Sequence, residues 1–248
     1  MADSPTTHTF PTEDSLCEAC GYPLKGLSQD TVCPECGYAV AESSPAKRTG
    51  IEYEFETKFF RLMELLLAPF YSAKQTFRAM PIDGSNRQYR WLLLLSSVTA
   101  LGVWSALGSK ALEGTYRNGD VFTLLIPLFV IALTYVEVIG VTAFSRRRGW
   151  RVPLALAERV CCRAAIGWVF GLLIAGAGMW VLKWTAAGQP WFEQNLGLVR
   201  VRWLFYGLLF VLSFLWFETL VWIGVRQVRY ANAWSQSPLS PPQDTPKT

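Results

Sequence analysis

Arg146-Arg147-Arg148-Gly149-Trp150-Arg151 lies between two long apolar runs, Val121 to Phe144 before it and Ala164 to Leu182 after it. The runs crowd the arginines too closely to be separate soluble domains. The stretch therefore reads as the marker that sets which way a membrane-embedded chain faces, because Lys and Arg accumulate on the cytoplasmic side.

Working outward, two further runs appear, so that spans are expected at about 91–108, 121–144, 164–182 and 203–225. Each approaches the ~20 apolar residues that cross a ~30 Å hydrocarbon layer. Trp91, Trp150, Trp180, Trp184, Trp203 and Trp222 fall near the expected ends, where amphipathic rings favour the lipid headgroup level. Composition agrees. Of 248 residues 51% are hydrophobic and 17% charged, below the ~25% charged of soluble domains, and the mean hydropathy is +0.23.

Orientation follows from the flanks. Arg146, Arg147, Arg148, Arg151, Arg159 and Arg163 lie between the second and third spans, Lys74, Arg78, Arg87 and Arg90 before the first, and Arg226 and Arg229 after the fourth. The opposite loops hold Lys110 and Arg117, and Lys183, Arg200 and Arg202. Both termini are thus expected in the cytoplasm, in a bacterial inner membrane. Residues 1–13 are polar and lack the apolar core of a secretory signal, which keeps the N-terminal thiols in a reducing compartment. The net charge of +4 sits beside apolar segments instead of forming a nucleic-acid face. Arg146, Arg147, Arg148 and Arg151 are candidates for holding anionic lipid headgroups.

In the N-terminal part, Cys17-Glu-Ala-Cys20-Gly21 and Cys33-Pro-Glu-Cys36-Gly37 form two Cys-x-x-Cys pairs twelve residues apart. Four thiolates at about 2.3 Å make a closed tetrahedral zinc site. Each glycine suits the positive φ of the turn behind its pair. Disulfides are disfavoured by compartment, and a redox pair would sit in a βαβ setting. Iron is the remaining alternative, and structural zinc is preferred. So short a segment cannot bury a core that folds unaided, and the metal substitutes for one. The segment resembles the zinc ribbons that cap many bacterial proteins.

The expected fold is an all-α polytopic membrane bundle of four transmembrane helices with a small N-terminal zinc ribbon of β-knuckles. Its parts are a disordered lead-in (1–13), the ribbon (14–40), a linker (41–52), an amphipathic interfacial helix region (53–81), the membrane domain (82–230) and a disordered tail (231–248). The interfacial helix is read from Phe55, Phe59, Leu62, Met63, Leu66 and Leu67, which recur at helical spacing up to Pro69.

Within the spans, Glu137 and Glu218 should lie at similar depth in the inner half of the bilayer. An intramembrane carboxyl is a functional hypothesis by default; the plainer reading is that each is protonated, or paired with Arg159 or Arg163, and fixes helix packing. Gly167, Gly171 and Ala175 form a stripe of small residues that permits close helix contact, within the chain or in a homo-oligomer. His8 is the chain's sole histidine, Cys161 and Cys162 have none nearby, and neither a phosphate-binding glycine loop nor a metalloprotease motif occurs. An enzyme is not expected.

Pro69, Lys74-Gln-Thr-Phe-Arg-Ala-Met-Pro81 and Leu154-Ala-Leu-Ala-Glu158-Arg-Val, the last leading into a Gly-rich span, resemble the bacterial branch of the Yip-type multispan membrane proteins. The resemblance covers most of Leu66 to Arg229, with four spans read where five are usual. It implies an integral membrane scaffold. The functional expectation is a membrane adaptor whose cytoplasmic ribbon recruits a protein partner, with a small-solute or ion transporter or channel using Glu137 and Glu218 as the alternative. Nucleic acid is not an expected partner, since one Lys and no Arg lie between Cys17 and Cys36.

Overall fold

The computed structural model describes residues 10–48, 72–82, 85–111, 119–171, 173–174 and 198–232. It is mostly helical. The elements are α1 (Ala73–Arg78), α2 (Arg87–Ala111), α3 (Gly119–Arg147), α4 (Leu154–Ala164) and α5 (Leu198–Val228), with single 3-10 turns at Val40–Ser43 and Pro45–Lys47. Residues 166–171 are also helical. Among the described residues there is no strand: the two cysteine pairs are closed by isolated bridges, Leu16 to Pro23 and Val32 to Ala39. A knuckle that returns after six residues is too short to propagate a ladder. The interfacial helix expected from Phe55 to Leu67, the later part of the third span, and the loops around Arg117 and Lys183 lie outside the described residues.

The chain divides into two compact units, one of residues 1–85, 144–152 and 225–248, the other of 86–143 and 153–224. In the second unit, α3 and α5 contain stretches, Pro127–Arg147 and Phe210–Val228, that are long and apolar enough to cross a membrane. Their polarity is in part reversed relative to a soluble core, although Val138, Val141, Phe217 and Leu220 are buried. Leu128, Phe129, Val136 and Ile139 of α3 are exposed, Val136 at 64%, whereas Thr134 is wholly buried. Likewise Leu208, Phe210, Val211, Leu212 and Leu215 of α5 face outward while Ser213 is buried, and in α2 Trp91, Leu94 and Val98 are exposed while Ser96 and Ser97 are not. In water, so many outward aliphatic groups would be costly, at about 25 cal/mol per Å².

Three of the inward hydroxyls are satisfied locally. Thr134, Thr142 and Ser97 each donate to the carbonyl four residues back, Val130, Val138 and Leu93, at 2.8 Å. Small residues then let backbones touch. A Cβ at Gly167 would stand 2.9 Å from Phe217 Cα, and one at Gly171 only 2.3 Å from Ser213 Cα. The stripe of Gly167 and Gly171 thus has its partner in α5 of the same chain. Trp168 fills the adjacent space against Phe210, Phe214 and Phe217, with ring centroids 5.8, 5.9 and 5.2 Å away.

The arginine stretch proves to be a helix end. Trp150 N–H donates to Ser145 C=O at 2.9 Å and Gly149 N–H to Arg146 C=O, with Gly149 at φ 68. That is the glycine-terminated cap in which orphan carbonyls are recovered by a left-handed residue. The rings of Trp150 and Phe144 close it, edge to face at 5.5 Å. Arg146 and Arg147 in the last turn complement the negative end of the helix dipole.

Candidate metal centre

Residues 15–24 and 31–40 fold identically, sixteen positions apart. Cys17 N–H donates to Tyr22 C=O and Gly21 N–H to Cys17 C=O; Cys33 and Tyr38, and Gly37 and Cys33, repeat this, every bond at 2.8 Å. Leu24 N–H to Ser15 C=O and Val40 N–H to Thr31 C=O close the two loops. The sequences Ser-Leu-Cys-Glu-Ala-Cys-Gly-Tyr-Pro-Leu and Thr-Val-Cys-Pro-Glu-Cys-Gly-Tyr-Ala-Val carry the repeat. Gly21 and Gly37, at φ 84 and 72, make the left-handed step that turns each second cysteine back toward its first.

The repeat converges on one point. The sulfurs of Cys17, Cys20, Cys33 and Cys36 all lie within 4.8 Å of one another. Cys17 Sγ to Cys36 Sγ and Cys20 Sγ to Cys33 Sγ are each 3.6 Å. A tetrahedron with 2.3 Å metal–sulfur arms has edges of about 3.8 Å, while a disulfide would hold two sulfurs at about 2.05 Å. The donor set therefore fits a single tetrahedral metal ion. Burial works against the Cys33 thiolate, but the N–H groups of Cys36 and Glu35 outweigh it and bring this thiol down to about 7. Burial with the neighbouring thiols pushes Cys20 up to about 12.

Beneath the site, Phe10, Cys17, Leu24, Cys33 and Val40 form the core, with Cys20, Leu27 and Tyr38 packed on it. Phe10 belongs to this core, although it falls within the stretch expected to be a lead-in. Gln29 Nε2 donates to the Phe10 carbonyl and holds it there. The start of the expected linker is packed as well. Arg48 pairs with Glu18 through Nε and Nη2, both at 2.8 Å, and donates to the carbonyls of Arg78 and Gln227, also at 2.8 Å. Both side chains are buried. Burial pushes the Glu18 carboxyl up, and the Arg48 guanidinium recovers only part of that shift.

The first knuckle is gripped by other parts of its unit. Asn232 accepts from Leu16 N–H at 2.9 Å and returns a bond to Leu16 C=O at 2.8 Å, and donates to Ser43 C=O at 2.7 Å. Arg229 donates to Ala19 C=O and Arg151 to Asp14 C=O, both at 2.7 Å. Of the candidate headgroup residues, Arg146, Arg147 and Arg148 are exposed, whereas Arg151 is half-buried and engaged in this grip. The sequence offered little to find Asn232 or Arg48 by. Asn232 sits where a disordered tail is expected, and Arg48 is one basic residue among linker-type neighbours.

In the second unit Glu137 and Glu218 are brought close enough to act on each other electrostatically. Arg159 is turned elsewhere: it donates to Asn86 Oδ1 at 2.5 Å and lies over the Tyr89 ring at 5.9 Å. Arg163 is buried. The carboxylate with the most partners is Glu158, which accepts from Arg90 Nε at 2.6 Å, Asn86 Nδ2 at 2.5 Å and Tyr135 Oη at 3.0 Å. Arg90 entered the sequence reading only as a topology charge, and Asn86 and Tyr135 not at all. Cys161 and Cys162 are buried free thiols. No family model matches the chain, and neither does any curated protein or solved structure.

Proposed function

We propose that the protein is an integral membrane adaptor of the bacterial cytoplasmic membrane, with four spans and both termini cytoplasmic, presenting a structural zinc ribbon to a cytoplasmic protein. One observation supports this above the others: four cysteines converge to metal-binding distance in a unit that also contains residues 144–152 and 225–232, which include the last turns of two membrane-length apolar helices. Zinc, with no redox chemistry, suits a site whose task is to fold a knuckle pair. The reversed polarity of α2, α3 and α5 supports lipid as the surrounding solvent, and the Yip-type resemblance belongs to this same reading. Crosslinking from an exposed ribbon position in intact cells tests it. A partner should be captured and lost with Cys33→Ser; loss of metal with an unchanged set of partners rejects it.

A second reading has its own observation. Glu137 and Glu218, one on each of the two membrane-length helices, lie close enough to influence each other, and paired acids within spans are a feature of ion-coupled carriers. Flux into proteoliposomes should then collapse in Glu137→Gln and Glu218→Gln, and full flux in the double variant excludes it.

A further inference from the structure

The two knuckles have one backbone but unequal surroundings. On the first, the segment Arg229-Tyr230-Ala231-Asn232 makes three contacts. The Asn232 carboxamide takes both the N–H and the C=O of Leu16, Arg229 takes the Ala19 carbonyl, and the Tyr230 ring lies so close over Gly21 that a Cβ there would meet it at 2.9 Å. The sixteen-residue repeat maps these points to Val32, Glu35 and Gly37.

All three are bare on the second knuckle. Val32 is 58% exposed, and neither its N–H nor its C=O has a hydrogen-bond partner among the described residues. Glu35 is exposed, and a Cβ at Gly37 would meet nothing within 4 Å. Only the Tyr38 ring is covered, by the Arg78 guanidinium at 5.3 Å. The carboxylate this face offers a basic ligand is that of the exposed Glu35, since Glu42 is already paired with Arg78 at 2.9 Å and Lys47 at 3.5 Å.

We propose that the second knuckle is a docking site for a partner protein's segment of the form Arg-aromatic-x-Asn, bound as residues 229–232 are bound on the first knuckle. The partner's carboxamide pairs with Val32 N–H and C=O, its ring covers Gly37, and its guanidinium reaches the Glu35 carbonyl and carboxylate. Where the first knuckle has Ala19, the second has an acid, so the second site favours the cation more. This inference rests on the adaptor reading and specifies its partner by chemistry.

The test uses the full-length, zinc-loaded protein in detergent micelles, with backbone amides followed by NMR. The probe is the peptide Arg-Gln-Val-Arg-Tyr-Ala-Asn, the sequence of residues 226–232. Saturable shifts are expected at the amides of Val32, Glu35 and Gly37. Replacing the terminal Asn of the peptide by Leu should weaken binding at least about tenfold, the factor that follows from losing roughly 1.4 kcal/mol. Glu35→Arg, at an exposed position that is alanine in the first knuckle, should weaken it as well while leaving the zinc content unchanged. Shifts confined to Leu16, Ala19 and Gly21, meaning displacement of the chain's own segment, would overturn the proposal, as would no shift at millimolar peptide. Either result leaves the crosslinking experiment to decide the adaptor reading separately, since a ribbon can recruit through another face.

Discussion

In the ribbon, the buried core amounts to Phe10, Leu24, Val40 and two of the metal-site cysteines, and most of its fixed geometry comes from backbone bonds aimed at sulfur and from polar side chains that clamp it. In the helices of the second unit, hydroxyls such as Ser97 and Thr134 and glycines at close contacts share the interior with buried apolar side chains, while many other aliphatic side chains are exposed. The first region has little apolar area to order its chain, and it has four cysteines that could hold a metal ion. The second is held by close helix contacts at Gly167 and Gly171 and by buried apolar side chains such as Leu93, Val138 and Phe217, and two of its helices are long and apolar enough to cross a membrane. What holds each region differs, and so each should fail to a different insult.

Metal removal is the largest such insult. Structural zinc contributes roughly 10–16 kcal/mol in small zinc domains, so chelation or Cys33→Ser should unfold the ribbon completely. Hydrogen exchange would show it as loss of protection at Cys17, Gly21, Cys33 and Gly37, with far-ultraviolet helicity retained. A ribbon that kept its protection without metal would break the comparison.

Next comes the clamp. Arg48→Met leaves Glu18 buried without its cation, and orphaning one member of a buried pair costs about 3–5 kcal/mol. The ribbon should then melt at a lower temperature and release zinc to a chelator faster, while the helices of the second unit are unaffected. Equal loss of stability in both units would show that the two are not held independently.

Gly171→Ala addresses the helices in the same way. The new Cβ meets Ser213 Cα at 2.3 Å, a backbone atom that no rotamer change can move. Overpacking of this kind costs about 1–3 kcal/mol. Thermal unfolding in detergent should shift down, and zinc content should not change. An unaltered melting curve would mean that α5 can slide to accommodate a methyl group.

The parts of this architecture that were legible in the sequence are those carried by local chemistry. Cys17, Cys20, Cys33 and Cys36 announce themselves by spacing, Gly21 and Gly37 by their place behind each pair, and the apolar lengths of α3 and α5 by composition. Gly167 and Gly171 gave the existence of a contact face, though its partner in α5 emerged only from the structure. The sixteen-residue repeat stood in the sequence, visible in Ser15 to Leu24 set against Thr31 to Val40. Arg48, Asn232 and Glu158 were not legible for a common reason: each acts through partners far away in the chain, Asn232 across more than 200 residues, and pairing at that range leaves no periodicity or spacing to read. Phe10 was hidden differently, as a single aromatic in a polar stretch that is buried against Cys17, Leu24, Cys33 and Val40.

The smallest effect concerns Glu158, which ties α4 to the start of α2. Burial alone would raise its carboxyl, but hydrogen bonds from Arg90, Asn86 and Tyr135, with the charge of Arg90, outweigh burial and hold it below the usual glutamate range. A carboxyl depressed on folding contributes stability that is present above its unfolded value of about 4.3 and is lost as pH falls through the lower folded value. The contact between α2 and α4 should therefore be insensitive to pH from neutrality down to about 5 and loosen only under more acid conditions. Glu158→Gln keeps the shape, removes the charge, and should make the same contact independent of pH at its weakened level. Exchange at the amides of residues 154–164 provides the measurement. Loosening that began near pH 6, or that persisted unchanged in Glu158→Gln, would assign the acid response to some other group and leave Glu158 a packing residue only.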